Sequence, residues 1–472
     1  MNMLFVAAAI IVAGAIGFGV GKRHARRFQR ARRIRIDRFK LKRRHADIEL
    51  EVFGSREVVD AIRDYARHNH VTTDEAMHQA RAYLAEIVPK FNLLAYYRFG
   101  APIARAIMHF LYRPVVERAP LHRFNEHAPK GSVVVYVINH RSNADYVLVA
   151  HMLFKFISLS YAVGEWARVW PLNHLFKWFG AYFIRRRYRE PLYHAVLSNF
   201  VRTITRNGVT QGIFIEGGLS RDGAFGKPKL GMLDYIVSSK RDPSFTAPLF
   251  VIPTAINYDR VLEDRRLTEE LLGREDRSGK MEKLATTFEF LFKNSLRSVV
   301  RRFKRFGYAV VAFGEPISVD EFARQHPALL AKEFEERKPE MQRLAETIMD
   351  GISHALPVTP VALLATVFAE HEWLDDREII AAVDERRTAW AERNWLLREK
   401  DGASLWNAAR EVLVIRHLLE NAGGRWRWNP GERLLLAYYA NSLLPFETVK
   451  TRGWRDNSVP VAVAPGFKAA VV

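Results

Sequence analysis

The segment 133-VVVYVINHRSNADYVLVAHML-153 begins and ends on apolar residues, with NHRSNADY held between them. The opening run is β-branched and unbroken, which predicts a buried strand over 133–139. The closing run predicts a helix near 144–156, with Ser142 or Asn143 as its cap. A histidine, an arginine and an aspartate therefore stand at a strand-to-helix turn. Open α/β sheets build their sites at the C-terminal ends of strands.

Working outward, short β-branched runs recur at 212-GIFIE-216, 249-LFVIPTAINY-258 and 308-YAVVAFG-314, and a strand-like run at 180-GAYFI-184. Helical patterns near 191–207 and 281–305 lie between them. Strands alternating with helices, each strand almost wholly apolar, predict an α/β fold whose mixed or parallel sheet is covered by helices on both faces. Pro253 inside an apolar strand predicts a bulge or a sheet edge near a site. Residues 46–125 read as helical, with 73-TDEAMHQARAYLAEIVPKF-91 starting near Thr73–Asp74. The basic, apolar segment 93–114 reads as an interfacial or a core helix, and 321–450 turns helical again.

The chain of 472 residues allows two or three domains and a sizeable core. It has no cysteine, which excludes disulfides, thiolate nucleophiles and Cys-ligated zinc and fits a reducing compartment. The net charge of +20 is uneven, since residues 22–44 alone hold 13 Lys/Arg against one Asp. This arm follows Met3–Val20, 18 positions without a charge and about 27 Å long as a helix at ~1.5 Å per residue. That length approaches the ~30 Å of a bilayer core, and positives following the apolar run place the rest of the chain in the cytoplasm. A buried N-terminal helix is the alternative. The expected division is a transmembrane anchor (1–21), a basic arm against anionic headgroups (22–45), a helical region (46–125), an α/β domain (126–320), a C-terminal helical region (321–450) and a tail (451–472).

Within NHRSNADY, five helical positions turn through ~140°, so His140 and Asp145 do not share a helical face. With His140 on the loop and Asp145 in the first turn, the imidazole can fold back on the carboxylate. Such an aspartate fixes the tautomer and leaves the second ring nitrogen as a base, typically for ~10²–10⁴-fold in rate. A helix-capping contact is the alternative. At 180-GAYFIRRRYREP-191 an apolar run breaks into Arg185, Arg186 and Arg187, whose guanidinium forks suit phosphate, although a solvated edge reads the same way. In 214-FIEGGLSRDGAFGKPKLG-231, Glu216 precedes Gly217 and Gly218, which let backbone N–H groups approach an anion, and then Ser220 and Arg221. A Gly-rich turn is the plain alternative. There is no Walker sequence and no G-x-S-x-G elbow.

HxxxxD, then G-x-x-F-I-R-R, then F-x-E-G-G-x-S-R, then I-P-x-x-I-x-Y resembles the glycerolipid acyltransferases, in the form of the bacterial membrane-bound glycerol-3-phosphate 1-O-acyltransferases. The residues carrying the likeness are His140, Arg141, Ser142, Asp145 and Tyr146; Gly180, Phe183, Ile184, Arg185 and Arg186; Phe214, Glu216, Gly217, Gly218, Ser220 and Arg221; and Ile252, Pro253, Ile256 and Tyr258. Later segments 313-FGEPI-317, 359-TPVALLAT-366 and 438-YYANSLL-444 extend it over roughly 95–446. Leu219 stands where the third block usually has an arginine, which bears on the acceptor more than on acyl transfer.

The resemblance implies that His140, oriented by Asp145, takes the proton from the sn-1 hydroxyl of glycerol 3-phosphate, which attacks an acyl thioester of CoA or acyl carrier protein. Arg141, Phe183, Ile184, Arg185, Glu216, Gly217, Gly218, Ser220 and Arg221 are the implied substrate-binding residues, and no metal or organic cofactor is implied. Dihydroxyacetone phosphate and lysophospholipids are the rival acceptors, the latter disfavoured by EGG where lysophosphatidate acyltransferases have EGT. A non-catalytic, basic membrane-binding protein is the rival from another class. No nucleic-acid partner is expected, because the basic surplus sits beside the apolar 18-mer rather than across the fold.

Overall fold

The computed structural model describes residues 45–88, 101–117, 119–153, 160–163, 181–185, 188–273, 305–390 and 401–447. The expected anchor, nearly all of the basic arm and of the helix over 281–305, and the tail lie outside the described residues. Among the described residues no helix is long and apolar enough to cross a membrane.

In chain order the elements are α1 (His45–Phe53), α2 (Arg56–Asn69), α3 (Thr73–Ile87), α4 (Ala101–Leu111), β1 (Arg113–Val116), α5 (Ala119–His127), β2 (Val133–Ile138), α6 (Asp145–Leu153), β3 (Ser160–Val163) and β4 (Ala181–Phe183). Then follow α7 (Pro191–Arg206), β5 (Gln211–Phe214), α8 (Leu230–Val237), β6 (Leu249–Tyr258), α9 (Asp264–Leu271), β7 (Tyr308–Phe313), β8 (Ile317–Ser318), α10 (Val319–Gln325) and α11 (Phe334–His354). The chain continues through α12 (Pro360–Glu370), β9 (Leu374–Asp375), α13 (Asp376–Ala389), α14 (Gly402–Ile415), β10 (Leu419–Ala422), β11 (Arg425–Trp428), α15 (Arg433–Asn441) and α16 (Leu444–Glu447).

The large sheet is mixed, in the order β1-β7-β6-β2-β5-β3-β4, with β8 also paired to β6. All six residues of β2 are buried, as a strand covered on both faces requires. It runs parallel to β5 and β6, with Ile138 opposite Phe214 and Thr254. The loops after β2 and β5 and the end of β6 therefore meet at one end of the sheet. Strand β4, parallel to β3, brings Arg185 toward that same end. Strand β7 runs antiparallel to β6 and supplies the mixed character.

Pro253 is not at a sheet edge, but the register slips by one residue across it, from Val251 opposite Ile317 to Thr254 opposite Phe313. Strand β6 is interior, and Pro253 lies where its partner changes from β8, at Phe250 and Val251, to β7, from Thr254 onward. Its carbonyl faces that side and accepts Gly314 N–H at 2.8 Å, so the missing N–H faces the hand-over and no bond to β2 is lost. A Cβ on Gly351 would lie 2.6 Å from the Pro253 ring, which is how closely α11 lies on β6.

The helices have local causes too. Thr72, one residue before the expected start, caps α3 in a reciprocal box with Glu75. Helices α1–α3 pack on α7. In α4, Ala104, Met108 and Leu111 are buried and Arg105 and His109 exposed, so one face joins the core. Two stretches read as helical also carry strands, β1 and the antiparallel sheet β10-β11-β9. Their strands have two to four residues, too short to leave a period in the sequence.

Candidate active site

Strand β2 is prolonged by the side chain of Asn139. Its amide donates to Ile256 O at 3.1 Å and accepts Ile256 N–H at 2.7 Å, holding the chain to β6 for one more residue. The turn that follows closes on one carboxylate. Asp145 Oδ2 accepts the backbone N–H groups of Arg141 (2.7 Å) and Ser142 (3.0 Å) and lies 2.9 Å from His140 Nδ1. Its Oδ1 accepts the Tyr258 hydroxyl at 2.7 Å. Burial, with Asp145 beside it, pushes the Tyr258 hydroxyl well above the ordinary tyrosine range, so it stays a donor. His140 and Asp145 are 1% and 0% exposed. The sequence expectation that the imidazole folds back on Asp145 matches this geometry, and Asp145 also closes its own loop, so the capping role coexists with it.

The imidazole is fixed in plane as well as in angle. It stacks on Phe214 at 4.1 Å and 25° and meets Tyr146 edge-on at 5.5 Å. With Nδ1 turned to Asp145, Nε2 is the nitrogen able to take a proton from a substrate.

The backbone of His140 is held from β5. Its N–H donates to Glu216 Oε1 at 2.9 Å, and its carbonyl accepts Ser220 N–H at 3.1 Å. Glu216 Oε2 accepts Gly226 N–H at 2.7 Å. Burial pushes this carboxyl up to about 7, against the pull of the Gly226 and His140 N–H groups and of Arg141. Glu216 thus spends both oxygens on backbone and acts as a buttress for His140. Gly217 has φ +68°, and a Cβ there would stand 3.0 Å from Lys229 Cγ, so the bend asks for glycine. Ser220 Oγ donates to Ala224 O at 2.7 Å within its own loop. Leu219 is half-buried and packs on the core.

The three candidate cations are separated. Arg141 turns away from the dyad into the protein, donating to Gly223 O and, at 3.5 Å, to Ser442 O. Arg185 forms a bidentate pair with Glu86 of α3, at 2.9 and 2.6 Å, among the rings of Tyr83, Tyr188 and Tyr193. Arg221 pairs with Glu270 at 3.2 Å and is 47% exposed, on the loop that holds the His140 carbonyl. Phe183 ends β4, and the half-buried Ile184 packs on the core. Arg186 and Arg187 lie outside the described residues.

Sequence reasoning missed Asn139, Glu86 and Glu263 and gave Tyr258 no role. Glu263 accepts from Ser142 Oγ at 2.7 Å and from Asn143 N–H at 3.3 Å, and its pKa is raised by burial and by Asp145. Only Tyr258 had a signal, its place at the end of the apolar I-P-x-x-I-x-Y run. Among the described residues no group of three or more His, Asp or Glu is placed to hold a metal ion.

Two family models match the chain. "Acyltransferase" covers residues 121–257 and "Glycerol-3-phosphate acyltransferase C-terminal region" covers 293–446. Curated proteins named glycerol-3-phosphate acyltransferase are similar along most of it. The Aeromonas hydrophila protein is 25% identical over 84% of this chain and 49% of its own length. The Pseudomonas putida protein is 28% identical over 82% and 47%, and the Alteromonas mediterranea protein 28% over 71% and 40%. This chain therefore spans about half the length, or less, of these relatives. A crystal structure of a 1-acyl-sn-glycerophosphate acyltransferase from Thermotoga maritima matches at 17% identity over 65% of this chain and 90% of that one, with a TM-score of 0.30. The buried His140–Asp145 pair lies inside the first matched region and α15, packed beside its turn, lies inside the second, so the chain is similar to the bacterial glycerolipid acyltransferases in both.

Proposed function

We propose that this chain transfers a fatty acyl group from an acyl thioester to the sn-1 hydroxyl of glycerol 3-phosphate, giving 1-acyl-glycerol 3-phosphate. The observation carrying the reading is the 2.9 Å contact of His140 Nδ1 with Asp145 Oδ2, both buried and the carboxylate fixed by Tyr258 and two N–H groups. His140 Nε2 takes the hydroxyl proton as the oxygen attacks the thioester carbonyl. The tetrahedral centre collapses by breaking the carbon–sulfur bond, and the imidazolium returns the proton to the departing thiolate. Asp145 holds the tautomer and offsets the transient charge. No covalent enzyme intermediate is needed.

The names of the relatives support the acceptor. Arg221, half-exposed beside Ser220 and held by a single ion pair with Glu270, is better disposed for the phosphate than Arg185, which is held by two bonds to Glu86. The donor is acyl-CoA or acyl carrier protein thioester. We further propose that residues 3–20 anchor the chain in the cell membrane with its catalytic part on the cytoplasmic face, the basic residues 22–44 lying on anionic headgroups.

The test is acyl transfer by membranes carrying the chain, with labelled glycerol 3-phosphate and each donor in turn. Lysophosphatidate made by the parent and lost in His140→Ala supports the reading. Product only with dihydroxyacetone phosphate or a lysolipid keeps acyl transfer and overturns the acceptor. No product with any acceptor favours a non-catalytic membrane-binding protein.

A further inference from the structure

The catalytic turn is fastened by β5 and β6 on two sides, and α15 of the C-terminal region lies against a third. Gly223, at φ +84°, approaches α15 so closely that a Cβ would stand 1.8 Å from Tyr438 O. Asn441 Nδ2 donates to Asp222 O at 2.9 Å, and Arg141 reaches Gly223 O and Ser442 O, one on each side of this seam. Its guanidinium lies 5.4 Å from the centre of the Phe225 ring.

Two polar atoms at the seam are unsatisfied. Among the described residues the buried Tyr438 hydroxyl and the buried Arg141 Nε have no hydrogen-bond partner. Such groups are uncommon in folded proteins because each loses water and gains nothing in return. Here they come from two regions of the chain that pack together, Arg141 from the HxxxxD turn and Tyr438 from α15, whose backbone lies against Gly223. Burial, with the Arg141 charge pulling the other way, holds the Tyr438 hydroxyl well above its ordinary range, so it donates at any working pH. A neutral O–H and a guanidinium N–H both call for an acceptor atom, and the fixed charge of Arg141 selects an anionic one. Arg221, two residues from Gly223, is half-exposed.

We infer that Tyr438 Oη and Arg141 Nε donate to an oxygen of the acceptor's phosphate, so that the C-terminal region supplies part of the acceptor site. The inference rests on the acyl-transfer reading above. It also gives α15 a function that packing alone does not require.

The test compares the full chain with Tyr438→Phe, in acyl transfer with varied glycerol 3-phosphate and in thermal unfolding with and without that ligand. The KM for glycerol 3-phosphate should rise about 10- to 100-fold, as expected for one charge-assisted hydrogen bond, while the KM for the donor holds. The Tm without ligand should stay level or rise, because the hydroxyl has no internal partner to lose. The Tm gain from added glycerol 3-phosphate should shrink in the variant. An unchanged KM and an unchanged ligand-induced Tm gain overturn the inference and leave Tyr438 as packing. If the parent uses another phosphorylated acceptor, the acceptor assignment falls and the same KM comparison on that compound decides the role of Tyr438. Equal use of acceptors with and without phosphate overturns it, and a parent showing neither turnover nor a ligand-induced Tm shift overturns both readings.

Discussion

Replacing Glu216 by glutamine separates the buttress from its charge. In the folded chain burial lifts this carboxyl from its ordinary 4.5 to about 7, although N–H groups of His140 and Gly226 point at it. The folded state therefore binds the Glu216 proton more tightly than the unfolded chain. Its contribution to stability is fully present below about pH 4.5 and is lost as pH rises to about 7, the reverse of a salt-bridged carboxylate. At 1.36 kcal/mol per pKa unit the change across that window is about 3 kcal/mol. Glutamine removes the titration. It also sets an NH₂ group against one backbone N–H, a pH-independent cost of about 1–3 kcal/mol. Denaturant unfolding of detergent-solubilised parent and Glu216→Gln between pH 4 and pH 8 would measure the difference. The parent's advantage should narrow by about 3 kcal/mol as pH rises through the window. A constant difference, or one that widens, would refute the assignment of a buried, upshifted carboxyl to Glu216.

Three further changes probe the same framework. Tyr258→Phe removes one donor from the Asp145 carboxylate and should cost about 1–3 kcal/mol in an unfolding titration. Because Asp145 then turns more freely, kcat should fall roughly 10- to 100-fold with KM for both substrates little changed. Glu86→Gln breaks the half-buried bidentate pair with Arg185, so stability should fall by only about 1 kcal/mol, while amide exchange quickens in α3. Gly223→Ala puts a methyl into the Tyr438 backbone at a left-handed φ and should cost about 2 kcal/mol or more, with limited proteolysis showing earlier cleavage in the C-terminal region.

What could be read from the sequence was local. The strand, the turn and the start of α6 lie within 133–153, where β-branched residues, a polar break and a capping serine follow one another directly. The His140–Asp145 contact spans five residues, and a motif of that length carries its own geometry. The groups that make it rigid come from far away. Tyr258 is 113 residues from Asp145, Glu263 is 121 from Ser142, and Glu216 is 76 from His140. A long-range hydrogen bond leaves no period in a chain, so these partners had no local signature beyond the apolar run ending at Tyr258. The same holds for Arg185, whose arginine run spoke of phosphate while the acid that holds it sits 99 residues earlier. Pro253 signalled an irregularity correctly, but only the sheet order shows that the irregularity is a change of partner.

The distance between the dyad and its supports has a bearing on when the site is assembled. During synthesis His140 and Asp145 leave the ribosome well before Glu216, Tyr258 and Glu263, and the helix carrying Tyr438, which starts at Arg433, emerges 170 residues after Glu263. A nascent chain halted after α6 holds the His140–Asp145 turn and its local bonds but none of those from Glu216, Tyr258 and Glu263. On the acyl-transfer reading proposed above, the site is complete only once the sheet has closed around β6 and the last helices have seated.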